Sequence, residues 1–389
     1  MKPTFTVRRR FTDFVFLRNT LYREYISTAV PPLPDKNNLA YVRGDRFSTE
    51  FTQRRAWSLH RFIKRLTQHP VLRRAPIFLL FLETSDWNAQ MKNRPITRSN
   101  TMDGSGVQSN VQPPHGFFDN VADTMLNAFT KPSRPDKRFT EVHERLSKLD
   151  EDLNHVEKIV SRVVRRESDL EQDYAELAVN MRKLTTLEPG VEEPTMRFAA
   201  SVEETSRGWK ALKEHTDQNY LGSLRDMDAY IGSVKSLLRT REQKQLDFEA
   251  LSDYLQKSTQ ERDTLVSQGA YHSTSLNPAT FIRNKVEDIR GVDHETARKE
   301  RARKLEVRIV ELDREVNTSK GVSEMFDAQV VREVEDFERI KGLEFKDTLS
   351  ALTNKNVDFY RGVVDTWERF LSEVDHGDSI LKGKGVAAG

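Results

Sequence analysis

Cysteine is absent from the 389-residue chain, which excludes disulfide bonds and thiolate metal sites and suits a cytoplasmic protein. No apolar run approaches the ~20 residues that a membrane-spanning helix needs, and no signal peptide opens the sequence. Any contact with a membrane is therefore expected to be peripheral.

Patterns that support catalysis are also missing. The nine histidines are scattered, and none has a metal-ligand spacing such as H-E-x-x-H. The segment Gly104-Ser105-Gly106 lies in a polar stretch with no strand before it, so it is not a nucleotide-binding fingerprint. We therefore expect no enzymatic activity, no cofactor and no bound metal ion.

Charge is abundant but unevenly distributed. Charged residues make up 31% of the chain, as is usual for long helices with one solvated face, and the net charge is +2. Residues 1–94 hold 18 Lys and Arg against 7 Asp and Glu, a balance of +11, which leaves −9 for the remainder. A basic module on a mildly acidic body predicts an anionic partner for that module.

Residues 1–87 have the pattern of a small mixed domain. We expect a short strand within 3–11, helices over 12–26 and 50–68, and an apolar segment over 71–83 that completes a core. Leu17 and Leu21 lie on the apolar side of the first helix. The Pro31-Pro32-Leu33-Pro34 run predicts an extended loop between the two helices, because each proline fixes its own φ.

Residues 88–115 are polar and predict a disordered linker, and 116–131 predict an amphipathic helix. Its apolar positions are Phe117, Phe118, Val121, Met125 and Phe129. That face either inserts into a bilayer or packs on the long helices. The polar face lacks the basic residues of most surface-seeking helices, so the sequence favours insertion only slightly.

Residues 136–376 are helical almost throughout, in stretches of about 136–187, 194–268 and 277–374, with Gly291 as a candidate bend. Eighty helical residues span roughly 120 Å, which is rare in a compact monomer. Apolar residues recur at helical spacings of three and four in these stretches, among them Leu146, Leu153, Val334, Phe337 and Leu349. This pattern predicts a three-helix antiparallel coiled coil whose apolar seam is buried again in a dimer. The tail at 377–389 is glycine-rich and expected to be flexible.

Arg55 lies on the apolar side of the helix at 50–68, within the arc that contains Phe51, Leu59, Phe62 and Leu66. Burying an unpaired cation is costly, so either an acidic side chain pairs with Arg55 or Arg55 lines a pocket for an anion. The N-terminal segment offers few acids for the first alternative. Arg54 and Trp57 lie off that arc and are expected to face solvent or an interface.

Two further groups of cations accompany Arg55. Arg8 and Arg10 share one side of the expected strand, and Phe11 follows directly, so an aromatic ring is available to stack beneath a ligand while a guanidinium binds a phosphate. Lys36 closes the proline loop. The alternative for all of them is a solvated surface. The mixed-charge region 283–308 has the same two alternatives, a solvated face or contact with an anionic bilayer.

The motifs around Arg10, Lys36 and Arg55, in this order and spacing, resemble a phox-homology (PX) domain, and the helical remainder resembles a BAR domain. Together they resemble the PX-BAR sorting nexins. The tracts FIRNKVEDIRGVDH at 281–294 and FYRGVVDTW at 359–367 are similar to the sorting nexin-4 class of fungi. The resemblance implies a mainly α chain with an α+β PX domain followed by a BAR coiled coil.

The resemblance also implies phosphatidylinositol 3-phosphate as the ligand. In that family the residue at Arg10 binds the 3-phosphate, and the aromatic at Phe11, usually tyrosine, packs beneath the inositol. Lys36 would meet the membrane-proximal phosphate, and Arg55 would reach the 4- and 5-hydroxyls. PX domains normally have two more strands before the arginine motif, so an incomplete PX domain without its first strands is expected over 1–87.

For the whole chain, the resemblance implies a dimer on curved endosomal tubules, formed with itself or with another sorting nexin. It implies a peripheral protein of the endosome membrane and the pre-autophagosomal structure. Its expected roles are retrieval of cargo from endosomes to the Golgi and plasma membrane and selective autophagy, with cargo and autophagy-related proteins as partners.

Two other classes of function compete with this reading. The chain would be a coiled-coil scaffold without selective lipid binding if the basic N-terminus docked acidic proteins. A nucleic-acid binder is not expected, because the arginines surround a proline loop instead of following one helix face.

Overall fold

A computed structural model describes residues 6–34, 49–93, 136–185, 191–267 and 294–385. The N-terminal helices are α1 (Phe11–Glu24), α2 (Thr49–Gln68), α3 (Pro76–Glu83) and α4 (Trp87–Asn93), with a 3₁₀ turn at Leu72–Arg74. The long helices are α5 (Lys137–Thr185), α6 (Glu192–His215), α7 (Gly222–Ser267) and α8 (His294–Gly385), and a π-helical segment, Thr216–Leu221, joins α6 to α7. This mainly α architecture confirms the predicted fold class.

The strand expected within 3–11 is not formed in its described part. Residues 6–10 have no regular secondary structure, and no strand occurs in the five ranges that the structure describes. Within the described ranges this extended segment has no neighbouring strand with which to form a hydrogen-bonded ladder. The segment is instead attached to α3 by the side chain of Arg9, whose Nε donates to the carbonyl of Phe81 at 2.9 Å.

The N-terminal helices enclose the predicted apolar core. Leu17, Leu21 and Leu66 are fully buried, and Phe62 is 1% exposed. Aromatic rings add edge-to-face contacts, with Phe14 centred 4.9 Å from Phe81. Pro76 stands at the first position of α3, where its missing N–H costs nothing. The core therefore fixes the position of α1 and α2 relative to each other.

Two boundaries differ from the prediction. The linker was expected from residue 88, but α4 is helical to Asn93. The flexible tail was expected from residue 377, but α8 continues to Gly385. Single glycines reduce helix stability by only about 1 kcal/mol relative to alanine, which a helix already nucleated over a long stretch tolerates. The amphipathic segment at 116–131 and Gly291 lie outside the described residues.

The chain divides into two compact units. The first contains residues 1–87, 142–236 and 332–389, and therefore holds α1 to α3 together with α6 and parts of α5, α7 and α8. Its coiled-coil core includes Leu146, Leu153, Val334 and Phe337, all predicted from the apolar spacing. Leu349, also predicted as core, is 54% exposed and lies on an open side of α8.

The second unit contains residues 88–141 and 237–331. Leu312 and Val330 of α8 are fully buried in it. Arg241 of α7 forms an ion pair with Asp327, with 2.6 Å between Nε and Oδ1, and its guanidinium stacks 4.1 Å from the ring centre of Phe139. No helix in the described part of the chain has a stretch apolar enough to cross a bilayer.

Candidate functional site

The three consecutive arginines alternate in direction, as predicted for an extended segment. Arg8 and Arg10 are exposed, whereas Arg9 is partly buried. The Arg9 guanidinium donates to the carbonyls of Phe81 (2.9 Å) and Thr84 (2.5 Å), where α3 ends. A cation at this helix end satisfies carbonyls that lack intrahelical partners. Arg9 therefore has a structural role, and it leaves Arg8 and Arg10 on the solvent side.

Arg10 caps the N-terminus of α1. Its backbone N–H donates to the Asp13 carboxylate at 2.7 Å, and the Asp13 N–H donates back to the Arg10 carbonyl at 2.9 Å. This reciprocal pair fixes the backbone from which the exposed Arg10 side chain extends. It also fixes Phe11 as the first residue of α1.

Arg55 lies against aromatic rings. Its guanidinium carbon is 4.2 Å from the ring centre of Phe11 and 4.8 Å from that of Phe51. Stacking of this kind uses the flat face of the guanidinium and leaves its N–H donors directed sideways in the plane. The structure thus brings together Arg10, Phe11 and Arg55 from two helices. Lys36 lies outside the described residues, as do Phe117, Phe118, Val121, Met125 and Phe129.

A second face of α2 was missed by the sequence analysis, and it carries buried ion pairs. Arg65 is held by two bonds to Glu344 of α8, Nε to Oε2 at 2.8 Å and Nη2 to Oε1 at 2.7 Å, and its side chain is 1% exposed. Ser223 donates a further hydrogen bond to Glu344. Burial lowers the pKa of Arg65, but attraction and hydrogen bonding from Glu344 outweigh it, so the net shift is upward.

Arg61 forms a neighbouring pair with Asp226 of α7. Its Nε lies 2.6 Å from Oδ2, and Ser58 donates to the same carboxylate at 2.8 Å. One turn before Ser58, Arg54 pairs with Asp217 at 2.7 Å, in agreement with the expectation that it faces solvent or an interface. The basic face of α2 therefore contacts acids of the long helices.

His69, just after α2, completes this contact. The backbone N–H groups of Val71 and Leu72 donate to its Nδ1, so Nε2 carries the proton and donates to Glu333 of α8 at 2.9 Å. The other oxygen of Glu333 accepts the N–H of Ala29 at 3.0 Å. The spacing of Arg54, Ser58, Arg61 and Arg65 is a helical stripe that could have indicated this face. Nothing in the sequence indicates which acidic residues pair with this stripe.

Comparison with known families defines the class of protein. Residues 1–85 match the family model for the PX domain, and residues 115–289 match the model described as Vps5 C terminal like. A solved structure of the SNX-BAR Mvp1 tetramer has a similar fold, with a TM-score of 0.52 and 17% identity over 94% of this chain and 90% of that chain. The chain thus combines a PX domain with a BAR-like helical domain, and its class is that of the PX-BAR sorting nexins.

Curated relatives give the particular family. A sorting nexin-4 of Emericella nidulans is 63% identical over 383 residues, covering 97% of this chain and 77% of the relative. A sorting nexin-4 of Aspergillus fumigatus is 61% identical over 402 residues, covering 100% and 79%. The chain belongs to the sorting nexin-4 family. The resemblance noted in the sequence is confirmed, and so is the absence of enzymatic activity, because these proteins are non-enzymatic, peripheral membrane adaptors.

Proposed function

We propose that the chain binds phosphatidylinositol 3-phosphate through Arg10, Phe11, Lys36 and Arg55. The observation that carries the proposal is the position of Arg55, whose guanidinium lies 4.2 Å from the centre of the Phe11 ring. Arg10 directly precedes Phe11 in the sequence. A guanidinium stacked on a ring, with an exposed arginine next to that ring in the sequence, matches an inositol that carries a phosphate on one side and hydroxyls on another.

The surroundings of the two arginines support distinct roles. Arg10 is exposed at the start of α1, and its backbone is fixed by Asp13, so its side chain is placed to reach a phosphate. Arg55 stacks against Phe11 and Phe51, which places its planar guanidinium beside the ring proposed to pack under the inositol, where its N–H groups would donate to hydroxyl oxygens. Phe11 supplies an apolar surface for the inositol ring. Lys36 is included in the proposed site because of its position at the end of the proline loop in the sequence.

We infer that the helical domain dimerises through an exposed apolar side of α8. Val357, Tyr360 and Val364 follow one another at spacings of three and four residues and are 40%, 57% and 53% exposed. They line one groove on α8. Such a stripe favours burial against another helix. The second chain is another copy or a different sorting nexin.

The cellular role follows as a proposal from the family and this chemistry. A 3-phosphoinositide site would bring the dimer to endosomes and the pre-autophagosomal structure. There it would act in retrieval of cargo to the Golgi and plasma membrane and in selective autophagy. The segment with Phe117, Phe118, Val121, Met125 and Phe129 would add membrane insertion.

Co-sedimentation with liposomes tests the lipid site. One set of vesicles contains phosphatidylinositol 3-phosphate and the other contains unphosphorylated phosphatidylinositol. We expect selective binding by the native chain and loss of selectivity in Arg10→Ala and Arg55→Ala. Arg73→Ala is the matched control, because Arg73 is an exposed arginine of the same domain, in the 3₁₀ turn.

Equal binding of the native chain to both vesicles would reject the lipid proposal. The chain would then be a coiled-coil scaffold, and its basic residues would serve the contact with its own helices. Retention of dimerisation in that case, measured by light scattering, would support the scaffold.

A further inference from the structure

Helix α2 has two functional faces. Arg55 projects to the aromatic cluster of Phe11 and Phe51, whereas Arg61 and Arg65 project to the long helices. Arg61 follows Arg55 by six residues, which is about 9 Å along a helix axis. A helix is stiff over this distance, so the ion pairs of Arg61 and Arg65 determine where Arg55 lies relative to α7 and α8.

The guanidinium of Arg61 lies in a site formed by α7 and the π-helical segment. In addition to its pair with Asp226, Arg61 donates from Nη1 to the carbonyl of Gln218 at 3.3 Å. Gln218 belongs to the π-helical segment, where the regular hydrogen-bond pattern of the helix is interrupted. A Cβ atom at Gly222 would lie only 2.8 Å from Nη2 of Arg61. Both the interrupted helix and the missing side chain therefore make room for this guanidinium.

The acidic residues that pair with α2 and His69 lie outside the basic N-terminal domain. Asp226 comes from α7, and Glu344 and Glu333 come from α8. The side chains of Arg65 and Glu344 are 1% and 8% exposed, so the pair is screened little by salt. The contact is thus a stable attachment between the PX helices and the segments of α7 and α8 that share their unit.

We propose that Arg61 and Arg65 are positioning residues for membrane binding: they hold the headgroup site of α2 in fixed register with the segments of α7 and α8 in the same unit, so that these segments and the headgroup site engage one membrane. This inference rests on the proposed lipid site. Two linked contacts gain affinity only when their geometry permits simultaneous engagement. Loss of these ion pairs would detach α2 from α7 and α8, which would leave binding of the soluble headgroup intact and reduce binding to vesicles.

The test compares a soluble headgroup with a membrane. Inositol 1,3-bisphosphate is titrated by calorimetry, and vesicles with phosphatidylinositol 3-phosphate are used in co-sedimentation. For Arg61→Ala we expect a soluble-headgroup Kd within about twofold of native and vesicle binding about tenfold weaker, since avidity gains of this order or larger are lost when geometry fails. Arg73→Ala, which removes the same charge from an exposed position, is expected to change neither.

Restoring the attachment provides a second readout. The chain has no cysteine, so Lys64→Cys and Asp347→Cys introduce the only thiols, at positions whose native side chains form an exposed pair between α2 and α8. A flexible bismaleimide is expected to link them within one chain, in lower yield when Arg61→Ala is added. The linked Arg61→Ala chain is expected to regain vesicle binding.

Unchanged vesicle binding in Arg61→Ala would overturn the proposal, as would loss of soluble-headgroup binding, because Arg61 would then act on the site itself. Failure of the crosslink to restore vesicle binding would also overturn it. Failure of the lipid site itself is distinguished by the native chain, which would then bind neither ligand. In that event the crosslinking yields still report whether Arg61 attaches α2, and equal yields would reject the attachment.

Discussion

Arg55 and Arg65 lie on the same helix, in the same basic domain, and have opposite surroundings. Arg55 is partly exposed and stacks on Phe11 and Phe51, whereas Arg65 is 1% exposed and is bound at two points by Glu344. A cation on an apolar side of a helix can therefore be accommodated by rings or by an acid. Which of the two applies depends on what the rest of the chain brings to that side.

The contrast between Arg55 and Arg65 changes the interpretation of the positive charge on the N-terminal domain. Its surplus predicted an anionic partner for the module, and part of that partner is the chain itself. Arg61, Lys64 and Arg65 pair with Asp226, Asp347 and Glu344 of the long helices, and Arg54 pairs with Asp217 of the π-helical segment. The cations that remain for an external anion are therefore fewer than the surplus of +11 suggests.

The largest expected effect is at Arg65. Arg65→Ala leaves Glu344 buried without its cation, and we expect a loss of about 3–5 kcal/mol in the free energy of unfolding of this unit. Urea denaturation followed by circular dichroism measures it. The double variant with Glu344→Ala should recover part of the loss. A change below about 1 kcal/mol would show that the pair contributes no more than a surface contact.

The next effect is at Arg55 and concerns binding. Arg55→Ala should weaken binding to 3-phosphoinositide vesicles about 10- to 100-fold, because hydrogen bonds to a charged group contribute about 1.5–3 kcal/mol. Arg55→Lys keeps the charge but not the planar fork, so an intermediate loss is expected. The unfolding free energy should change by less than about 1 kcal/mol. A loss of stability like that of Arg65→Ala would remove the contrast between the two arginines.

A smaller effect on the free energy of unfolding is expected at Asp228, whose carboxyl lies beside that of Asp150. Burial, together with a hydrogen bond and repulsion from Asp150, raises the pKa of Asp228 to about 6. The folded state then holds this proton more tightly than the unfolded state. The stability it contributes is present below about pH 4 and is lost as pH rises through 6.

Asp228→Asn removes that dependence. We expect its unfolding free energy to exceed the native value by about 1 kcal/mol at pH 8, after allowance for solvent screening, and to equal it at pH 4. Urea denaturation at the two pH values measures the difference. An equal shift at both pH values would assign the effect to packing instead of titration.

The smallest effect is expected beside Arg65. The Tyr230 ring is fully buried, 5.3 Å from the Arg65 guanidinium carbon, and its hydroxyl has no hydrogen-bond partner among the described residues. Tyr230→Phe removes an unsatisfied polar group while it keeps the ring. The unfolding free energy should rise by about 0.5–1 kcal/mol. A decrease measured in urea would show that the hydroxyl is satisfied in solution.

Local patterns were sufficient for most of the helices. The spacing of Leu17 and Leu21, of Phe62 and Leu66, and of Leu146 and Leu153 predicted which sides are buried, because helix periodicity is a property of neighbouring residues. The prediction of a strand within 3–11 was wrong in its described part, because strand formation does not depend on neighbouring residues alone. A strand depends on a partner elsewhere, and residues 6–10 are instead attached to α3 through Arg9.

The sequence by itself determined the helical body, the basic head and the proximity of Arg10 to Phe11, since each depends on composition or on adjacent positions. Only the tertiary structure decided that Arg55 meets Phe11, that Arg61 reaches Asp226 and Gln218, and that Arg65 is buried on Glu344. These partners lie up to 279 positions apart along the chain. Many acids of the long helices could satisfy the same arginines, and only packing of the complete core selects among them.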